Sequence, residues 1–187
     1  MSGIYQTILL WGAQVEALSY PTSLIPSNGS QTTRNQETCI NATPEINSEE
    51  GVLYAEIAAL SDDGTSRRIT LLESLNDKVS LILSSTSNSI QGLVISGAVV
   101  QFNQTFATSN TLDFNKIAVS YAKNNFALWV NGAKVRTDTS GNTPIGLSEL
   151  SFADGNNTSN KFFGKTKDLQ VYPKALSDAE LINLTTI

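Results

Sequence analysis

Histidine is absent from this chain, and cysteine occurs once, at Cys39. Without an imidazole there is no ordinary general base near neutral pH, no Ser-His or Cys-His triad and no usual zinc site. A lone thiol closes no intrachain disulfide, so the fold does not rest on oxidation, and Cys39 reads as a buried structural residue. Cations are scarce too: 12 Lys and Arg stand against 17 Asp and Glu, for a net charge of −5. No basic stripe interrupts that balance, which excludes nucleic acid as a partner, because phosphate backbones demand clustered Lys and Arg. No apolar run approaches the ~20 residues of a spanning helix, so no membrane insertion of that kind is expected. The segment ILLWGAQVEA has too short an apolar core, with no basic residue before it, to read as a signal peptide. Met-Ser-Gly reads as an expression start, and the chain is expected to be a fragment of something longer.

What is present points to strands. Charged residues make up only 16% of the 187, while Ser, Thr, Asn and Gly are abundant, the composition of a hydroxyl-coated β surface. Residues 1–45 read as an extended arm with one strand at 4–10, for Pro21 and Pro26 forbid a helix. Val15, Leu18, Tyr20, Leu24 and Ile25 are spaced along it like pegs, as an arm packed on a neighbouring surface requires. From residue 46 to 187, alternating apolar segments separated by Gly, Asn and Asp turns predict nine or ten short strands. The expected fold is all-β, an antiparallel two-sheet β-sandwich of jelly-roll type. One short helix is expected near the end, where Ser177 and Glu180 form a capping box and Leu181 and Leu184 supply an apolar side.

The hairpin NNFALWVNGAKV, residues 124–135, holds a puzzle. Phe126, Leu128 and Val130 point to one face of a strand, Ala127, Trp129 and Asn131 to the other, and Asn131-Gly132 makes the turn. A bulky ring on the polar side is either covered by something or offered to something.

Two stretches resemble the concanavalin A-like and laminin G-like lectin domains: NKIAVSYAKNNFALWVNGAKV, residues 115–135, and FFGKTKDLQVYPKALSDAELINL, residues 162–184. A third, WGAQVEALSYPTSLIPSNGSQTTR at residues 11–34, resembles a segment common in bacteriophage tail, fibre and other virion proteins, where it leads into a lectin-like module. The resemblance implies a virion-surface domain, made in the host cytoplasm, that holds host or environmental glycans without cleaving them. Its partners would then be a cell-surface polysaccharide, other virion proteins and further copies in a homo-oligomer. The alternative it leaves open is a spacer or decoration domain with no ligand.

Sugars offer flat C–H faces to aromatic rings and hydroxyls to amides and carboxylates. Trp129 with Asn131 is therefore one candidate carbohydrate platform, set against Trp129 buried by the arm or a partner chain. The loop FADGNNTSN, residues 152–160, adds Asp154, Asn156 and Asn157 as candidate sugar ligands. Related laminin G-like domains hold calcium at a sandwich rim, and Asp154 with Asn156 are the hard oxygen donors for it here. Asp-Gly-Asn-Asn is equally a good turn. Asp62 and Asp63 offer a weaker version of the same chemistry. Hydrolases of this fold present Glu-x-Asp-x-x-Glu along one strand, and this chain has no such run: Glu56 and Glu73 each lack an acidic neighbour two positions on. Lys161, Lys165, Lys167 and Lys174 read as a solvated edge that discourages strand-to-strand aggregation, with binding of an acidic polysaccharide as the alternative.

Overall fold

A computed structural model describes residues 44–155 and 159–187, with positions 15, 24, 29 and 30 singly. The chain divides into two units, Met1–Ile40 and Asn41–Ile187, and the second carries the architecture below. The strand expected at 4–10, Cys39, Asn156 and Asn157 lie outside the described residues. Of the arm's pegs, Val15 and Leu24 are described, and both are exposed.

Ten strands and one helix follow one another: β1 Glu50–Ala59, β2 Arg67–Ser74, β3 Asp77–Leu83, β4 Ser89–Ser96, β5 Val99–Ala107, β6 Asn115–Ala122, β7 Asn125–Val130, β8 Ala133–Asp138, β9 Glu149–Ser151, β10 Gly164–Tyr172 and α1 Asp178–Thr185. They form two five-stranded sheets, ordered β10-β1-β6-β7-β8 and β5-β4-β3-β2-β9, with every pairing antiparallel. This is the expected sandwich. The ninth strand is shorter than the apolar run 147–154 predicts, because the chain leaves the sheet after Ser151 to cross its outer face.

Side-chain alternation builds the interior. Leu53, Ala55 and Ile57 of β1, Ile117, Val119 and Tyr121 of β6, and Phe126, Leu128 and Val130 of β7 face Ile69, Leu71, Val79, Leu81, Ile90, Val94 and Phe102 of the other sheet. Gly92 sits against the facing sheet: a Cβ there would lie 2.9 Å from Val119 Cγ2 and 3.1 Å from Phe102. Only a residue without a side chain lets that layer close.

A second, smaller core lies on the outer face of the first sheet. Val52, Tyr54, Ala118, Ala127 and Trp129 are buried there beneath Leu181 of α1, with Leu176, Leu184 and Tyr172 at the margin. Helix α1 starts as the sequence predicts, with Ser177 capping the backbone of Glu180 while the Glu180 carboxylate returns to Ser177. Its N-terminus is tied to β8 by Lys134 Nζ and Asp178 at 2.6 Å. Its C-terminal end is tied to the β7–β8 turn, where Gly132 N donates to Thr185 Oγ1 at 3.2 Å and Lys116 Nζ donates to the Thr186 carbonyl at 2.7 Å.

Candidate functional site

The residues singled out from the sequence are mostly engaged. Trp129 is 1% exposed under α1, so its ring offers no face to a sugar. The platform reading is corrected: the puzzle of the outward ring is answered by a cover, and the cover is the chain's own helix. Asn131 (φ 49°) is spent on the turn it forms. Its Oδ1 accepts from Lys116 N at 2.9 Å and its Nδ2 donates to Asn115 Oδ1 at 2.9 Å. Both ends of the amide are thereby engaged within the protein.

Asp154 is engaged as well. One oxygen, Oδ1, accepts from Arg68 Nη1 at 2.8 Å and Lys78 Nζ at 2.6 Å, and Oδ2 accepts from Asn160 Nδ2 at 3.3 Å. A carboxylate whose charge is already offset by two protein cations is a poor calcium ligand, since a third cation beside it would be repelled by both. Asp63 is likewise held by Arg67 at 2.9 Å; the Ser61 hydroxyl first, then Arg67, keeps its carboxyl well below the usual carboxylate range. Among the described residues no three acidic, Cys or His side chains converge as a metal site.

Unspent polar groups gather at one end of the sandwich. A cleft of 660 Å³ opens between the start of β1 (Glu49, Glu50), the end of β4 (Ser96), the β6–β7 turn (Ala122, Lys123) and the loop after β8 (Asn142, Thr143, Ile145). That volume suits a small ligand of a few rings. Its walls are pinned from behind. Ser96 Oγ donates to the Thr143 carbonyl at 2.8 Å, Asn142 N to Gln101 Oε1 at 3.0 Å, and Ile145 N to Asp77 Oδ1 at 2.9 Å. Asn124 N and the Gly141 carbonyl meet at 3.0 Å, and Gly141 N returns to Asn124 Oδ1 at 3.0 Å. On the β1 side, Asn47 Nδ2 donates to the Pro173 carbonyl at 3.0 Å, and the Asn47 carbonyl accepts from Tyr121 OH at 2.7 Å. By contrast, the side chains of Glu49, Glu50, Lys123, Asn142 and Thr143 have no hydrogen-bond or ion-pair partner among the described residues. A rigid backbone thus holds free carboxylates, an ammonium, an amide and a hydroxyl around one hollow, with Ile145 as an apolar lip.

This set escapes sequence reading because its members are almost a hundred positions apart. Two signals were present: the Glu49-Glu50 pair before the first strand, and the polar run Gly141-Asn142-Thr143-Pro144 after an edge strand.

The Tyr121 anchor brings a pH dependence. Burial pushes its phenol above the ordinary range, and Tyr54 is pushed up to about 12, by burial first and then by Asp168, Glu56 and Tyr172. Phenols whose folded-state pKa is raised hold their protons longer when folded than when unfolded. Their contribution is therefore complete below pH ~10 and declines as pH rises beyond it. Thermal melts are expected to lose stability from pH 10 to 12, with tyrosinate absorbance from Tyr121 appearing only on unfolding. Tyrosinate formation from Tyr121 in the folded state near pH 10 would contradict the anchor.

Comparison with known proteins agrees with the architecture. A family model described as the concanavalin A-like lectin/glucanases superfamily, of a laminin G type, matches residues 42–182. Among solved structures, a carbohydrate-binding module of the Ruminococcus gnavus IT-sialidase, bound to α2,3-sialyllactose, is 19% identical with a TM-score of 0.57, covering 74% of this chain and 84% of that one. The leech intramolecular trans-sialidase, complexed with 2,7-anhydro-Neu5Ac, gives 18% identity and a TM-score of 0.60 over 75% of this chain, which spans only 24% of that enzyme. Domain 4 of an extracellular arabinanase from Geobacillus stearothermophilus, in complex with arabinotriose, gives 11% identity and a TM-score of 0.55, covering 75% of this chain and 68% of that one. At these identities the likeness is one of fold. No curated protein sequence matches the chain.

Proposed function

The chain belongs to the concanavalin A-like lectin/glucanases superfamily, and from that premise we propose that residues 46–187 are a non-catalytic carbohydrate-binding domain acting through the rim cleft. One observation carries this reading: five polar side chains without partners among the described residues surround a hollow whose backbone is already fixed. A hydroxyl-rich ligand uses donors and acceptors of this kind, and a fixed backbone spares the ordering cost of binding. Sialyllactose and arabinotriose in the structures of two similar domains support a glycan as the ligand class. Recognition here is by hydrogen bonds, since no aromatic ring lines the cleft among the described residues. Glu56, in the middle of β1, is bound to Lys167 Nζ at 2.7 Å and is poorly placed as a hydrolytic acid.

The setting we assign is the surface of a bacteriophage particle, on the resemblance of residues 11–34. Other virion proteins and further copies would be the partners there, and many weak sites would act together. Antibody against the domain decorating intact particles is the result expected of that setting.

The cleft is tested on a glycan array, followed by titration of the best ligand against Asn142→Ala/Thr143→Ala. Binding is expected to weaken about tenfold, from the loss of two hydrogen-bonding groups, with an unchanged melting temperature. Undiminished binding by the double variant would move the site elsewhere.

A further inference from the structure

We infer that the cleft discriminates by charge, accepting neutral and amino-bearing glycans and disfavouring those that carry a carboxylate. The inference rests on the carbohydrate reading above and adds the ligand class to it. Two carboxylates, Glu49 and Glu50, share the hollow with a single ammonium, Lys123. None of the three enters an ion pair among the described residues, so no neighbouring side chain there neutralises their charge.

Recognition of a carboxylate favours the planar two-pronged donor of an arginine. The described arginines are all elsewhere. Arg67 is paired with Asp63, Arg68 with Asp154, and Arg136 donates to the Val135 carbonyl and lies over Phe106. An acidic sugar entering the cleft therefore finds one point cation and two like charges. A protonated amino group finds two acceptors of opposite sign. The net charge of −5 acts in the same sense at longer range.

The test uses three probes on the isotopically labelled full chain at pH 6 and low salt: lactose, sialyllactose, and a trisaccharide of glucosamine. The first two differ by one acidic residue, so their comparison isolates the charge. Amide shifts at Lys123, Asn142 and Thr143 report occupancy of the cleft. Affinity is expected to fall from triglucosamine to lactose to sialyllactose, with about five- to tenfold between the last two. Glu49→Gln/Glu50→Gln, checked for an unchanged melting temperature, is expected to remove most of that spread, and so is 0.5 M salt. Sialyllactose shifting the same amides at equal or tighter affinity than lactose would overturn the charge rule and leave the carbohydrate reading standing. No shift at these amides with any of the three would overturn the carbohydrate reading itself. Sialyllactose shifts confined to the Arg68, Lys78 and Asp154 amides would place the site on the β2–β3 face instead, and overturn the charge rule together with the assignment of the cleft.

Discussion

Trp129→Ala is expected to destabilise the protein by about 3–5 kcal/mol, the range for truncating a large aromatic in a packed interior. The ring is the largest fully buried side chain among the described residues, and it is the surface on which α1 rests. An eight-residue helix has no stability of its own in water, so its folded state depends on what lies beneath Leu181 and Leu184. Removing the indole leaves a hollow that the sheet cannot collapse to fill, because Val52, Ala118 and Ala127 are fixed by strand pairing. Lys134 Nζ, 4.9 Å from the ring centroid and bonded to Asp178, loses one of its two supports. Trp129→Phe is expected to cost much less, since it keeps most of the apolar volume and deletes an indole Nε1 that has no partner. Urea denaturation measures both variants. A loss below about 1 kcal/mol for Trp129→Ala, together with abolished glycan binding, would show the ring to be a ligand platform after all.

Asp154→Ala should be the other severe change, costing about 3 kcal/mol or more. Breaking a buried ion pair by removing one partner leaves an uncompensated charge in a poorly hydrated place. Here two are left, Arg68 and Lys78, with side chains only 19% and 6% exposed. They stand on neighbouring strands of one sheet face, so their mutual repulsion adds to the desolvation once the shared carboxylate is gone. Arg68 Nε, buried and without a hydrogen-bond partner, already sits in surroundings that offer nothing further. Asp154→Asn is expected to fall between, because the amide oxygen still accepts but carries no charge. The same melts distinguish a calcium ligand: a wild-type melting temperature raised several degrees by calcium, and a response lost in Asp154→Ala, would restore the metal reading.

These two residues mark the line between what local pattern reveals and what it hides. Alternation placed Phe126, Leu128 and Val130 on one face and Trp129 on the other, because side chains in a strand point alternately up and down wherever the strand lies. The Asn131-Gly132 turn followed from the positive φ both residues adopt, 49° and 83°. The Ser177–Glu180 cap was legible for the same reason: its geometry is completed within four residues. The meaning of Trp129 was not legible, since whether an outward ring is bare or covered depends on where a helix almost fifty residues later comes to rest. Nor was that of Asp154. An acidic loop residue beside Gly and Asn reads as a turn or a metal ligand until the sheet brings Arg68 and Lys78 beneath it.

The cleft belongs wholly to the second kind. Glu49, Lys123 and Asn142 meet only because β1 lies beside β6 in the sheet order and the loop after β8 folds back onto Asp77, Gln101 and Asn124. By itself the sequence determined the class of fold, the strands with their two faces, the capped helix and the absence of imidazole chemistry. These follow from backbone periodicity and composition, which act over a few residues. Tertiary structure alone decided which polar groups are consumed and which stay free, because a partner distant in the chain is supplied only when the sheets close.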